Sequence, residues 1–114
     1  MGVKIFIQNL EVLDLQNSSF GTFYEDLLNL LQEKEISISL DLCLLMDELY
    51  SGCFGVGLDI AQYLKNKEDT ILFASLVKSA IEKQQNSSHP FDKKIKTRLE
   101  NFYQSIIIWA DSFS

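Results

Sequence analysis

The chain has 114 residues, 46% hydrophobic, 11% aromatic and 23% charged, with a formal net charge of −6. This is ordinary usage for one globular domain and excludes a disordered chain, a collagen and a disulfide scaffold. The longest apolar runs, residues 42–46 and 106–110, fall far short of the ~20 needed to span a bilayer, so no membrane contact is expected.

The first segment, residues 3–15, carries two patterns. Val3, Ile5 and Ile7 alternate like a strand, whereas Phe6, Leu10 and Leu13 recur like a helix. Length favours the helix. Gln8, Asn9 and Glu11 interrupt the early apolar stretch, so no secretory signal is expected. Thr22-Phe23-Tyr24-Glu25 fits a capping box ahead of Leu27, Leu30 and Leu31, which predicts a helix over 22–34. A third helix is predicted over 38–51. Ile38, Leu42, Leu45, Met46 and Leu49 form its apolar face, Leu40 and Leu44 widen it, and Gly52 is placed to cap its end. Such a helix is expected to be well buried.

The glycines Gly52, Gly55 and Gly57 mark a turn, with Phe54 and Val56 packing inward, before a short helix over 58–65. Asn66 caps a fifth helix reaching about Lys83, with Glu68 and Asp69 in its first turn. Pro90 opens a sixth, whose stripe Phe91, Ile95, Leu99, Phe102, Ile106 and Trp109 steps by four and three. The expectation is therefore all-α: a single-domain bundle of five to six helices over residues 1–114.

No chemistry is spelled out. The lone His89 precedes Pro90 with no nucleophile beside it. One histidine and two separated cysteines, Cys43 and Cys53, cannot build a zinc or di-iron site, so no metal is expected. Gly55-Val56-Gly57 lacks the third glycine and the preceding strand of a dinucleotide loop, so no cofactor is expected. Nothing converges into a catalytic set, and an enzyme is not expected. Two cysteines are too few for a disulfide framework and read as reduced thiols in a cytoplasm. Nine lysines to one arginine, with abundant Ile, Asn and Ser, is a bacterial, AT-rich bias.

Charge is the main asymmetry. Residues 1–64 hold ten acids against two bases, a net of −8; residues 65–114 hold eight bases against six acids, a net of +2. An acidic excess repels phosphate backbones and attracts basic proteins. Protein binding through an acidic surface is thus the expected role, with no nucleic acid partner. Asp41, Asp47, Glu48 and Asp59 are its expected charges, and Tyr50 and Tyr63, beside the glycine turn, its expected anchors.

A short, acidic, cysteine-poor chain of one domain resembles the immunity proteins of bacterial polymorphic and contact-dependent inhibition toxins. Residues 49–64, LYSGCFGVGLDIAQYL, are similar to helix–turn–helix stretches in some of them. The resemblance implies tight binding to one cognate toxin domain, often a basic nuclease, in the cytoplasm of the producing cell. It assigns no residue. The other reading of the residues is a helical adaptor, regulatory or assembly subunit, which predicts an apolar patch on the folded surface.

Overall fold

A computed structural model describes residues 2–51 and 57–113. The chain begins with a β-hairpin. β1 (Gly2–Ile7) and β2 (Leu10–Gln16) pair antiparallel, with Val3 opposite Leu15 and Ile5 opposite Leu13. The alternating pattern wins because Val3, Ile5, Ile7, Leu13 and Leu15 all reach the core from one face of the sheet. A helix through Phe6, Leu10 and Leu13 would have buried Leu10, which instead stands exposed. The register shifts after Ile5, so that Phe6 faces Glu11 and Val12 is the extra residue of a bulge.

The hairpin turn is made by Gln8 and Asn9, both at positive φ, 49° and 68°. This is the primed geometry that two-residue hairpins prefer. Here it is built without glycine and is held from fifty residues away. The Asp59 carboxylate accepts from the Gln8 and Asn9 amides at 3.1 and 2.9 Å.

Asp59 belongs to β3 (Leu58–Asp59), which pairs parallel with β1, giving the order β2-β1-β3. Gly57 lies just before it at φ 89°, where a Cβ would come within 2.8 Å of the Phe6 ring. Only glycine permits both that backbone and that approach. A 3-10 turn over Ile60–Gln62 follows, and Asp59 caps it by accepting from the Ala61 amide. The helix expected over 58–65 is therefore a strand and a turn.

The described residues also form four α-helices: α1 (Asn17–Glu33), α2 (Leu40–Ser51), α3 (Lys67–Gln85) and α4 (Lys93–Asp111). The all-α bundle of five to six helices is thus corrected to a two-layer α/β fold, with helices covering one face of a mixed sheet. α1 starts at Asn17 rather than Thr22. Thr22 lies inside the helix, where its hydroxyl donates back to the Ser18 carbonyl and cannot cap. α3 starts where the spacing places it, with the Asn66 side chain accepting from the Asp69 amide at 2.8 Å. α4 is capped by Asp92, which accepts from the Ile95 amide, and Pro90 stays in the preceding loop. The cap wanted at Gly52 and the inward packing of Phe54 and Val56 lie outside the described residues.

Phe20, Phe23, Phe73 and Phe102 fill the space between sheet and helices, with Phe73 and Phe102 edge to face. Polar ties position the elements at the core margin. The Trp109 indole N–H donates to the Leu64 carbonyl at 2.9 Å. Buried Asp69 accepts from Ser39, whose hydroxyl oxygen in turn accepts from the Leu42 amide, so the first turns of α2 and α3 are coupled. No helix among the described residues is long and apolar enough to cross a membrane.

Candidate functional site

α2 is short and carries apolar residues on both its inward and its outward side, and the fold buries only part of its surface. Leu42, Leu45, Met46 and Leu49 face the core. The other side carries Leu40, Leu44 and Tyr50, exposed by 74, 44 and 68%, together with exposed Cys43 and Asp47. Positions 40, 44 and 47 recur at helical spacing, with 43 and 50 beside them, so these side chains make one continuous strip. Leu40 and Leu44 thus do not belong to the core, as their pattern suggested. α2 lies at the margin of the helical layer, with solvent on its second side.

Beside the strip lies an open groove of about 460 Å³ between α1 and α2, lined by Phe20, Gly21, Tyr24, Glu25, Leu49 and Tyr50. Tyr24 is its fixed wall. Its hydroxyl donates to the Met46 carbonyl at 3.0 Å, and its ring lies 5.9 Å from that of Tyr50. Burial pushes the Tyr24 hydroxyl above its ordinary value, and the negative Asp47 and then Tyr50 push the same way. Tyr24 therefore stays neutral and keeps donating, while Tyr50 offers its ring to solvent. Sequence reasoning weighs Tyr24 with Tyr50 and Tyr63 as tyrosines of the acidic part and keeps only Tyr50 and Tyr63 as anchors, because only these two lie close to the glycine turn.

The expected site residues divide. Asp47, Glu48 and Tyr50 lie together on the last turns of α2. Asp41 is in its first turn, half-buried and paired with Lys65 at 3.7 Å. Asp59 is turned inward, with three backbone amides on its carboxylate. Tyr63 is half-buried against the core after the 3-10 turn.

The acidity of residues 1–64 does not gather on one face. Glu11 pairs with Lys4, Glu33 with Lys83, and Asp14 sits on β2. Glu25, Asp47 and Glu48 make no ion pair with any described residue, and they flank the tyrosine groove and the strip. The site is thus an apolar strip with an acidic rim, not an acidic sheet.

Asp26, on the same helix as Glu25, has its carboxyl raised above the usual value. Burial is the first cause, Glu25 and Glu33 add to it, and Lys83 opposes it. The folded state then holds the proton to higher pH than the unfolded chain, and stability falls as pH rises through that window. Asp26→Asn is expected to stabilise the protein at pH 7 by no more than a few tenths of a kcal/mol, about the size left once solvent screens a carboxyl that is only partly buried. The gain should vanish below the ordinary carboxyl pKa, where both chains carry a neutral group. Urea midpoints at pH 7 and pH 3.5 measure it, and an equal gain at both would contradict this electrostatic origin.

Among the described residues no group of three or more His, Cys, Asp or Glu side chains converges to hold a metal. His89 is exposed in the loop before α4, and its carbonyl accepts from Gln84. Comparison with family models, curated proteins and solved structures finds no match to this chain.

Proposed function

We propose that this protein acts by direct contact with another protein through the outward side of α2, and that it neutralises a basic toxin domain in this way. The observation that supports the reading is the strip itself. Leu40, Cys43, Leu44 and Tyr50 are exposed side by side. Contiguous exposed apolar surface with a polar rim is what protein interfaces look like when free. The rim of Glu25, Asp47 and Glu48 is free to meet positive charge, which would speed association with a basic partner. An adaptor or assembly subunit is the second reading. Leu40 and Leu44 favour it, since an apolar patch is what such a protein needs.

Growth rescue tests the first reading. In a host expressing one of a panel of basic nuclease domains from bacterial polymorphic toxins, the wild-type protein restores growth against at least one of them and Leu44→Asp does not. Failure of the wild type to protect contradicts toxin neutralisation. Protection by Leu44→Asp equal to the wild type contradicts the use of α2.

A further inference from the structure

The groove between α1 and α2 has a glycine in its floor and charge of one sign at its side. Phe20, Gly21, Tyr24 and Glu25 form its wall on α1, and Leu49 and Tyr50 form its wall on α2. Gly21 and Glu25 are one turn apart on α1, as Asp47 and Tyr50 are on α2.

The backbone does not require glycine at position 21. Gly21 is not among the residues at positive φ, and an added Cβ would meet nothing within 4 Å. Glycine inside a helix costs more than alanine, because more backbone freedom is lost and the backbone is left open to water. What the missing side chain does here is keep the groove floor clear beside Phe20 and Leu49.

The walls suit a cation on an apolar stem. The Tyr24 ring lies 6.4 Å from that of Phe20 and 5.9 Å from that of Tyr50, so the three form one aromatic row that ends in an exposed ring. Glu25 lines the groove, and Asp47 is near enough to act on the Tyr24 hydroxyl. Among the described residues no lysine or arginine lines the groove, and neither acid is in an ion pair. Residues 52–56, GCFGV, carry no charged side chain that could supply one. Unopposed carboxylates beside aromatic surface complement a guanidinium. Its plane stacks on a ring, its edge donates to a carboxylate, and its stem lies on apolar surface. A lysine ammonium is a strongly hydrated point charge and does the first two less well.

We infer that this groove receives one arginine side chain of a basic protein partner, with its stem over Gly21 and its guanidinium against the Tyr50 ring and paired with Glu25. The inference rests on the reading of α2 as a protein contact, and it names the anchor of that contact.

The probe is the tripeptide acetyl-Ala-Arg-Ala-amide, titrated into the full ¹⁵N-labelled chain. Tripeptides with lysine, leucine or citrulline in the middle serve for comparison, citrulline having nearly the shape of arginine without its charge. The expected result is shifts at the Gly21, Glu25 and Tyr50 amides that saturate in the millimolar range. The lysine peptide should bind about threefold more weakly or worse, and the citrulline and leucine peptides should not saturate. Glu25→Gln and Tyr50→Ala should each weaken the arginine peptide about threefold or more. Gly21→Leu should abolish saturation with Tm at or above that of the wild type, because leucine is the better helix former and its side chain fills the groove. Leu44→Asp should not weaken the peptide. Failed growth rescue with the arginine peptide still bound would therefore contradict toxin neutralisation alone, and rescue without groove shifts would contradict this inference alone. The inference is also overturned by a lysine, citrulline or leucine peptide that binds as tightly as arginine, or by Gly21→Leu binding the peptide like the wild type.

Discussion

Asp59→Ala is expected to lower the unfolding free energy by about 2–4 kcal/mol, the sum of its charge-assisted hydrogen bonds discounted for solvent access. For a chain of this length that is a fall in Tm on the order of 10 °C. The carboxylate accepts from Gln8, Asn9 and Ala61, at 3.1, 2.9 and 3.0 Å. Two of those amides belong to residues at positive φ, a backbone that costs L-residues about 1 kcal/mol or more each. Consecutive amides aimed one way form a natural anion cradle, and here the anion is the protein's own side chain. Without it the turn keeps its strain and loses its compensation, and the hairpin turn loses its side-chain tie to β3. Asp59→Asn, which keeps an acceptor oxygen but no charge, should cost about half as much. Asp47→Ala, on an exposed position, should stay within about 0.5 kcal/mol. Urea unfolding of the three variants measures the ordering, and an Asp59→Ala variant as stable as the wild type would contradict the clamp.

Leu44→Asp is expected to weaken partner binding at least 30-fold, or about 2 kcal/mol, with little effect on folding. Leu44 is near the middle of the α2 strip, between Leu40 and Asp47, and is partly solvated in the free protein. The new carboxylate would remain hydrated there until a partner covered it, and then its desolvation would be charged against binding. The sign of the effect separates two physical accounts. If only charge attracts a basic partner, an added carboxylate strengthens binding. If the apolar strip is the contact, it weakens binding despite the favourable charge. Calorimetric titration against whichever basic domain the growth-rescue panel selects reads the sign directly. The combined variant Glu25→Gln, Asp47→Asn and Glu48→Gln should instead slow association and flatten its dependence on salt, leaving dissociation nearly unchanged.

The helices with local signals were legible in the sequence, whereas the sheet showed only as one of two competing patterns in residues 3–15. α3 carries its cap at Asn66 and two acids in its first turn, and α4 carries an unbroken stripe from Leu99 to Ala110. Each signal lies within the element it predicts. The hairpin is different. The alternation of Val3, Ile5 and Ile7 was visible, but its turn, Gln8-Asn9, has no glycine and is completed by Asp59, so no local turn signal supported the strand against the helix. β3 is too short to show any period, and Asp59 near the start of an apolar stretch looks like a residue placed for a helix dipole.

The same limit applies to the site. Tyr50 and Asp47 were legible as an exposed aromatic beside a charge. Leu40 and Leu44 were not, because an apolar stripe as wide as that of α2 suits a central position as well as an interface. Only the packing of Leu42, Leu45, Met46 and Leu49 toward the core decides which side is left over. The charge excess of residues 1–64 was real, but ion pairs with Lys4, Lys65 and Lys83 and the inward turn of Asp59 divide it.

Cys43 supplies a direct probe of the α2 contact, since its free thiol is exposed within the strip. With Cys53→Ser leaving Cys43 as the sole thiol, its alkylation rate by iodoacetamide can be followed alone and with saturating partner. Occupation of α2 predicts at least a tenfold slowing in the complex. An alkylation rate unchanged by a bound partner would place the contact elsewhere and contradict the role given to α2.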